Sequence, residues 1–115
     1  MAIKVKRIYE PPSRQDGLRV LVDRIWPRGL DKEAAAIDLW MREFAPSTEL
    51  RKWFAHDPAK WPQFCGRYAR ELDSNPEAVS HLKAERRKRT VTLLFAAKDE
   101  AHNNAVALKR YLESG

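Results

Sequence analysis

The 115-residue chain has a single cysteine, Cys65, and only four glycines. One cysteine cannot form an intrachain disulfide, so a disulfide scaffold is excluded and a reducing, cytoplasmic compartment is expected. Cys65 lies on the apolar face of a predicted helix, with no histidine at a useful spacing. This setting indicates a buried, inert thiol rather than a nucleophile.

Long apolar runs and glycine-rich nucleotide motifs are also missing. No apolar run approaches the ~20 residues that a membrane helix needs, so no membrane partner is expected. The absence of P-loop, G-x-G-x-x-G and G-x-S-x-G sequences removes the common nucleotide-binding and hydrolase patterns. His56, His81 and His102 are widely spaced and no cysteine pair accompanies them, so we expect neither a metal site nor a cofactor.

What the chain does have is an excess of positive charge. Lysine and arginine number 22 against 16 aspartate and glutamate residues, which gives a net charge of +6 and a pI of about 9.7. Such an excess favours anionic partners such as phosphates, nucleotides or nucleic acid. The length suits one domain with one core, so residues 1–115 are expected to form a single domain.

The hydrophobic pattern predicts an α/β fold. Residues 3–9 alternate and predict a half-exposed strand, whereas residues 18–25 and 90–97 are nearly continuous in apolar side chains and predict central, covered strands. Residues 36–43 fit the spacing of a helix or a strand, while alanines favour a helix near 32–36. We expect a short, mostly parallel sheet of three to four strands packed with about five helices.

Cap residues predict the helices between the strands. Ser47, Asp57 with Pro58, and Asn75 with Pro76 each precede a helical pattern. The second of these helices should face the core with Trp61, Phe64, Cys65, Tyr68 and Leu72. The last helix of the chain should bury Ala101, Ala105, Leu108 and Leu112.

Polar side chains follow both predicted central strands. Asp23, Arg24 and Arg28 end the stretch "VLVDRIWPRGL", and the second strand is followed by Lys98, Asp99, His102, Asn103 and Asn104. Ligands bind beyond the carboxyl ends of strands in open parallel sheets. If the two strands are parallel neighbours, these groups converge on one cleft that would bind an anion.

Part of this predicted site has a structural alternative. Arg24 and Arg28 would hold the anion, and the candidate catalytic groups are Asp23, which would orient an arginine or act as a base, and His102. Asn103 would contact the ligand beside His102, with further ligand contacts from Ser47 and Arg51. Alternatively, Asp23 pairs with Arg24 to organise the loop, while His102 and the asparagines cap the last helix.

A second function competes with small-anion binding. The run "RRKR", residues 86–89, and the net charge of +6 would suit a module that binds nucleic acid or a regulatory partner without catalysis. A solvated helix end explains the run equally well. We therefore expect a small anionic partner and weak or no nucleic-acid binding, with enzymatic activity and oligomeric state left open.

Four segments in order make a family resemblance visible. They are "VLVDRIWPRGL", "APSTELRKWF", "HDPAKWPQFCGRYARELD" and "VTLLFAAKDEAHNNAVAL". Nearly the whole chain resembles the bacterial YeaO-like family, domain of unknown function 488, which implies a small α/β domain of the bacterial cytosol and no defined activity. Members commonly show Asn-His-Ala in the last loop, where this chain has Asn103-Asn104-Ala105 preceded by His102. More distant members carry cysteine there; this chain does not, so a thiol mechanism is not carried over.

Overall fold

Four short strands pair in parallel in the computed structural model, which describes residues 2–114. They are β1 (Ile3–Arg7), β2 (Leu18–Leu21), β3 (Leu39–Trp40) and β4 (Val91–Phe95), in the spatial order β1-β4-β2-β3. The last strand in the sequence therefore lies between the first two. The predicted α/β class and the neighbouring, parallel arrangement of β2 and β4 are confirmed.

Five α-helices surround the sheet: α1 (Lys32–Ala35), α2 (Thr48–Phe54), α3 (Trp61–Asp73), α4 (Pro76–Lys88) and α5 (Asn104–Ser114). The Ser47 hydroxyl accepts the N–H of Leu50 and caps α2, as predicted. Asp57 caps a 3-10 turn that leads directly into α3. Asn75 precedes α4 but caps nothing, because its amide donates to the carbonyl of Glu43 at 3.2 Å.

The main core lies between one face of the sheet and helices α2 to α5. The helical stripe supplies it with Trp61, Phe64, Tyr68 and Leu72, all buried as predicted. The Tyr68 hydroxyl donates to the carbonyl of Phe44 and so satisfies a polar group inside this core. Cys65 is half-buried at the edge of the core, where burial raises the pKa of its thiol.

The opposite face of the sheet has a thinner cover that includes a buried charge. Arg19 projects from β2 on this face and is 4% exposed. Its guanidinium donates to Asp16 at 2.5 Å and to the carbonyls of Ala35 and Ala36 at the end of α1. Arg19 thus satisfies carbonyls that a helix end leaves unpaired, and it fastens α1 to the sheet.

Several predicted boundaries are wrong. β2 ends at Leu21 instead of residue 25, and β4 covers Val91–Phe95 instead of residues 90–97, because the strand pairing ends at Leu21 with Leu94 and at Arg7 with Phe95. Residues 36–43 combine the two-residue strand β3 with the start of a 3-10 turn. Ala101 is exposed in the loop before α5, whereas Ala105, Leu108 and Leu112 are buried as predicted.

Over residues 2–114, no helix has the length and apolar character needed to cross a membrane.

A close backbone approach at Gly17 generates a first prediction. Gly17 has φ +64°, and a Cβ at this position would lie 2.1 Å from the carbonyl oxygen of Thr90. Gly17→Ala should therefore lower the free energy of unfolding by about 2–5 kcal/mol, since left-handed strain and overpacking add. The matched control is Gly29→Ala, because Gly29 has φ +74° and open space around it. Urea melts showing equal losses in both variants would contradict the steric argument.

The environment of Asp16 predicts a pH dependence. Burial opposes its ionisation, but hydrogen bonds from the Ser13 N–H, Lys6 and Arg19 outweigh burial and lower the pKa of Asp16 below its ordinary value of 3.8. A lowered pKa contributes stability above about pH 4 that is lost as the pH falls through the folded-state pKa. The stability difference between the parent and Asp16→Asn should thus shrink in urea melts on acidification. A constant difference down to about pH 2 would refute this.

Candidate functional site

A cleft of about 580 Å³ opens beyond the carboxyl ends of β2 and β4. Its walls come from the loop after β2, from α2 and from the segment that leads from β4 into α5. The parallel pairing of β2 with β4 brings these segments to one edge of the sheet. The predicted cleft required these two strands to be parallel neighbours, and they are.

Most of the predicted site residues lie around this cleft. The lining includes Asp23, Arg24, Arg28, Arg51, His102 and Asn103. Ser47 lies instead in an adjacent, shallower depression that it shares with Arg24. Its hydroxyl donates to Glu71 at 2.6 Å while capping α2, so this side chain already has its partners inside the fold.

The loop after β2 has both partly or fully buried side chains and exposed ones. The Trp26 indole donates to the carbonyl of Leu30 and packs edge-on against Trp40 at 5.4 Å between ring centroids, under the loop. Arg24, Ile25 and Arg28 are exposed on the cleft side. A buried strand therefore ends in tryptophan and two arginines because Trp26 anchors the loop, while Arg24 and Arg28 are exposed cations of the cleft lining.

Asp23 joins the ends of the two central strands. Its Oδ2 accepts the N–H of Ala96, just beyond β4, at 2.8 Å. Burial raises the pKa of Asp23, and the opposing contributions of the Ala96 N–H, Asn104 and Arg51 do not offset it. The Asp23–Arg24 ion pair, the structural alternative to the predicted site, is absent from the part of the chain that the structure describes, since Arg24 donates to the hydroxyl of Thr48.

The asparagines at the start of α5 serve the fold. Asn103 is 4% exposed; its Oδ1 accepts the N–H of Val106 and its Nδ2 donates to the carbonyl of Asp99. Asn104 donates to the carbonyl of Val22 at 2.9 Å. The capping alternative is therefore right for Asn103, and Asn104 links the start of α5 to the end of β2.

His102 is oriented by a carboxylate. Its Nδ1 lies 2.9 Å from Oδ2 of Asp99, and its ring meets Trp61 edge-on at 5.3 Å. The hydrogen bonds from the His102 side chain and the Ala101 N–H hold the pKa of Asp99 below its ordinary value. An imidazole held at Nδ1 by a carboxylate presents its other ring nitrogen, Nε2, to its surroundings.

Several lining residues were not predicted from the sequence. Lys52 and His56 follow Arg51 on and after α2, and Tyr9 and Ile25 stand at the edge of the cleft. His56 has φ +56°, a left-handed conformation that is uncommon for residues other than glycine. No glycine or asparagine marks that turn, so the sequence carried no signal for it.

Within residues 2–114, no cluster of histidine, cysteine, aspartate or glutamate could hold a metal ion.

Comparison with known proteins places the chain in a family. A family model described as the inactive DUF488-N3 subclade matches residues 2–115. The chain belongs to this family. The uncharacterized protein YeaO of Escherichia coli (strain K12) is 40% identical over 114 residues, which cover 99% of both chains. Rv3073c of Mycobacterium tuberculosis (strain ATCC 25618 / H37Rv) is 37% identical over 110 residues, 96% of this chain and 92% of its own length. No solved structure shows a significant match.

This assignment confirms the resemblance to the YeaO-like proteins that the four sequence segments indicated. The range matched by the family model, residues 2–115, includes every residue that lines the cleft. The names of these relatives state no ligand or reaction.

The raised pKa of Asp23 predicts that its contribution to stability falls as the pH rises, whereas the contribution of Asp16 rises with pH. Between its ordinary value of 3.8 and its higher folded-state value, the folded protein binds more protons than the unfolded chain, so stability falls as the pH rises through that window. Asp23→Asn keeps an oxygen acceptor for the Ala96 N–H and removes this loss. The variant should gain stability relative to the parent between about pH 3 and pH 7 in urea melts. A relative loss over that range would contradict the burial argument.

Proposed function

We propose that the chain binds a small anionic molecule in the cleft beyond β2 and β4, as a binding domain without turnover. The observation that carries the proposal is the charge of the lining. The lining contains four cationic side chains, those of Arg24, Arg28, Arg51 and Lys52. Asp23 is the single carboxylate among the described lining residues. Guanidinium groups at a recessed surface bind phosphate or carboxylate through charge-assisted hydrogen bonds.

The two exposed arginines of the loop after β2 have different surroundings. Arg24 already donates to Thr48, which fixes its guanidinium beside the start of α2. Arg28 has no side-chain hydrogen bond among the described residues, and its backbone carbonyl accepts the Tyr9 hydroxyl at 3.2 Å. The backbone at Arg28 is thus held while its charge faces the cleft, which suits a direct contact with an anion.

Binding without catalysis is the better-supported form of this proposal. The matched family model is described as inactive. Two of the polar groups first considered for the ligand, Ser47 and Asn103, have internal partners that explain them. Asp23 accepts a strand-end N–H and is better explained as the residue that shapes the cleft than as a base. His102 contributes a contact from the α5 side.

The rival nucleic-acid function rests on the arginine run at the end of α4, and this run is partly engaged within the fold. Arg86 donates to the carbonyl of Leu112 at 3.2 Å, and Arg89 pairs with Glu85 at 2.7 Å. The clustering of cations in a recess favours a small ligand over an extended polyanion. The run remains a candidate for weak, salt-dependent contacts with nucleic acid.

Thermal melts in inorganic phosphate test the anion site. A ligand that binds only the native state stabilises it by RT ln(1 + [L]/Kd), about 2.7 kcal/mol at 100 Kd, which is several degrees for a domain of this size. Arg28→Ala should abolish most of the phosphate-dependent shift and leave the ligand-free melt nearly unchanged, because Arg28 is exposed. Isothermal titration calorimetry would check the same loss directly.

Arg87→Ala is the matched control, since Arg87 is an exposed arginine on α4 away from the cleft. It removes the same charge from the protein and should keep the full phosphate-dependent shift. Comparison at equal salt separates site binding from the general stabilisation by excluded anions. Equal phosphate-dependent shifts in the parent and in Arg28→Ala would overturn the proposed function.

A further inference from the structure

Apolar side chains are exposed at the cleft beside its cations. Tyr9 is 45% exposed and Ile25 is 68% exposed, and they are the large hydrophobic residues that the described part of the chain leaves in solvent. Both line the cleft. Single exposed apolar side chains are ordinary on a protein surface, but their coincidence at one concave site is typical of a ligand contact.

The size and walls of the cleft exceed what a simple ion needs. A volume of about 580 Å³ falls in the range that accommodates organic ligands rather than inorganic phosphate. Phe54, Phe64 and Trp26 contribute aromatic surface, and Ala96 and Ala97 keep the side chains small just beyond β4. The recess therefore offers an apolar surface that an inorganic anion would leave uncovered.

Two contacts hold the apolar edge in place before any ligand arrives. The Tyr9 hydroxyl donates to the Arg28 carbonyl, and the Arg7 guanidinium lies 4.9 Å from the centroid of the Tyr9 ring. Ile25 stands in the loop between Arg24 and Arg28, so apolar and cationic contacts alternate along one short segment. Such preorganisation reduces the entropy lost on binding.

We infer that the ligand is an organic phosphate monoester whose phosphate meets the arginines and whose ring or other apolar body covers Ile25 and Tyr9. This inference rests on the proposed function and adds the chemical class of the ligand. A phosphate is favoured over a carboxylate because four cations, Arg24, Arg28, Arg51 and Lys52, line the cleft against the single carboxylate of Asp23. A dianion compensates such a site better than a single negative charge does.

Calorimetric titration with phenyl phosphate, inorganic phosphate, benzoate and phenol tests this ligand class. Phenyl phosphate should bind roughly tenfold more tightly than inorganic phosphate, since its ring removes apolar surface from water. It should also bind more tightly than benzoate and phenol. Ile25→Ser should remove most of the preference for phenyl phosphate over inorganic phosphate, whereas Ile25→Val, which keeps an apolar side chain, should retain it.

The outcomes separate this inference from the proposed function. If neither phosphate nor phenyl phosphate binds, the proposed function fails and the inference with it. If phosphate binds in an Arg28-dependent way but phenyl phosphate binds no more tightly, or if benzoate binds best, only the inference is overturned. Self-association of the parent that Ile25→Ser abolishes, measured by analytical ultracentrifugation, would also overturn it by assigning the exposed apolar side chains to a second copy of the chain. Because Ile25 is exposed, both of its variants should melt like the parent.

Discussion

The buried guanidinium of Arg19 is the contact on which the thin side of the sheet depends. It joins Asp16, before β2, to the last carbonyls of α1, after β2, so both connections of the central strand are held by one side chain. Lys6 of β1 shares the same carboxylate at 3.1 Å. A buried charge is tolerated only when its hydrogen-bonding capacity is met, and here a helix end and an aspartate meet it. Helices α2 to α5 cover the opposite face.

The cleft follows from the order of the strands. Insertion of β4 between β1 and β2 brings residues from both ends of the sequence to one sheet edge, and Asp23 fixes the two strand ends through the Ala96 N–H. Indole contacts beneath the loop hold its backbone, which allows arginine and isoleucine to remain exposed above it. The rigid parts of the site therefore come from partly buried tryptophan and aspartate side chains, whereas the groups available to a ligand are those the fold does not require.

The sequence revealed the fold class, the central strands and most of the cleft because each has a local signature. Continuous apolar runs marked β2 and β4, and parallel pairing then brought Asp23, Arg28 and His102 to one site. Strand ends were less predictable, since apolar residues such as Ile25 continue past the last ladder hydrogen bond. Arg19 was hidden inside an apolar run, and its role depends on a helix end sixteen residues away. Left-handed His56 had no glycine to mark it.

The position of β4 also bears on how the chain acquires its structure during synthesis. β1 and β2 do not pair with each other, and β2 shares only a two-residue register with β3. Their main partner is the segment Val91–Phe95, which leaves the ribosome after most of the domain has already been made. Such long-range pairing delays folding and leaves strand edges open in the meantime. Until Val91–Phe95 is made, β1 has no partner strand and β2 has only the short strand β3, so a chaperone would find their edges exposed.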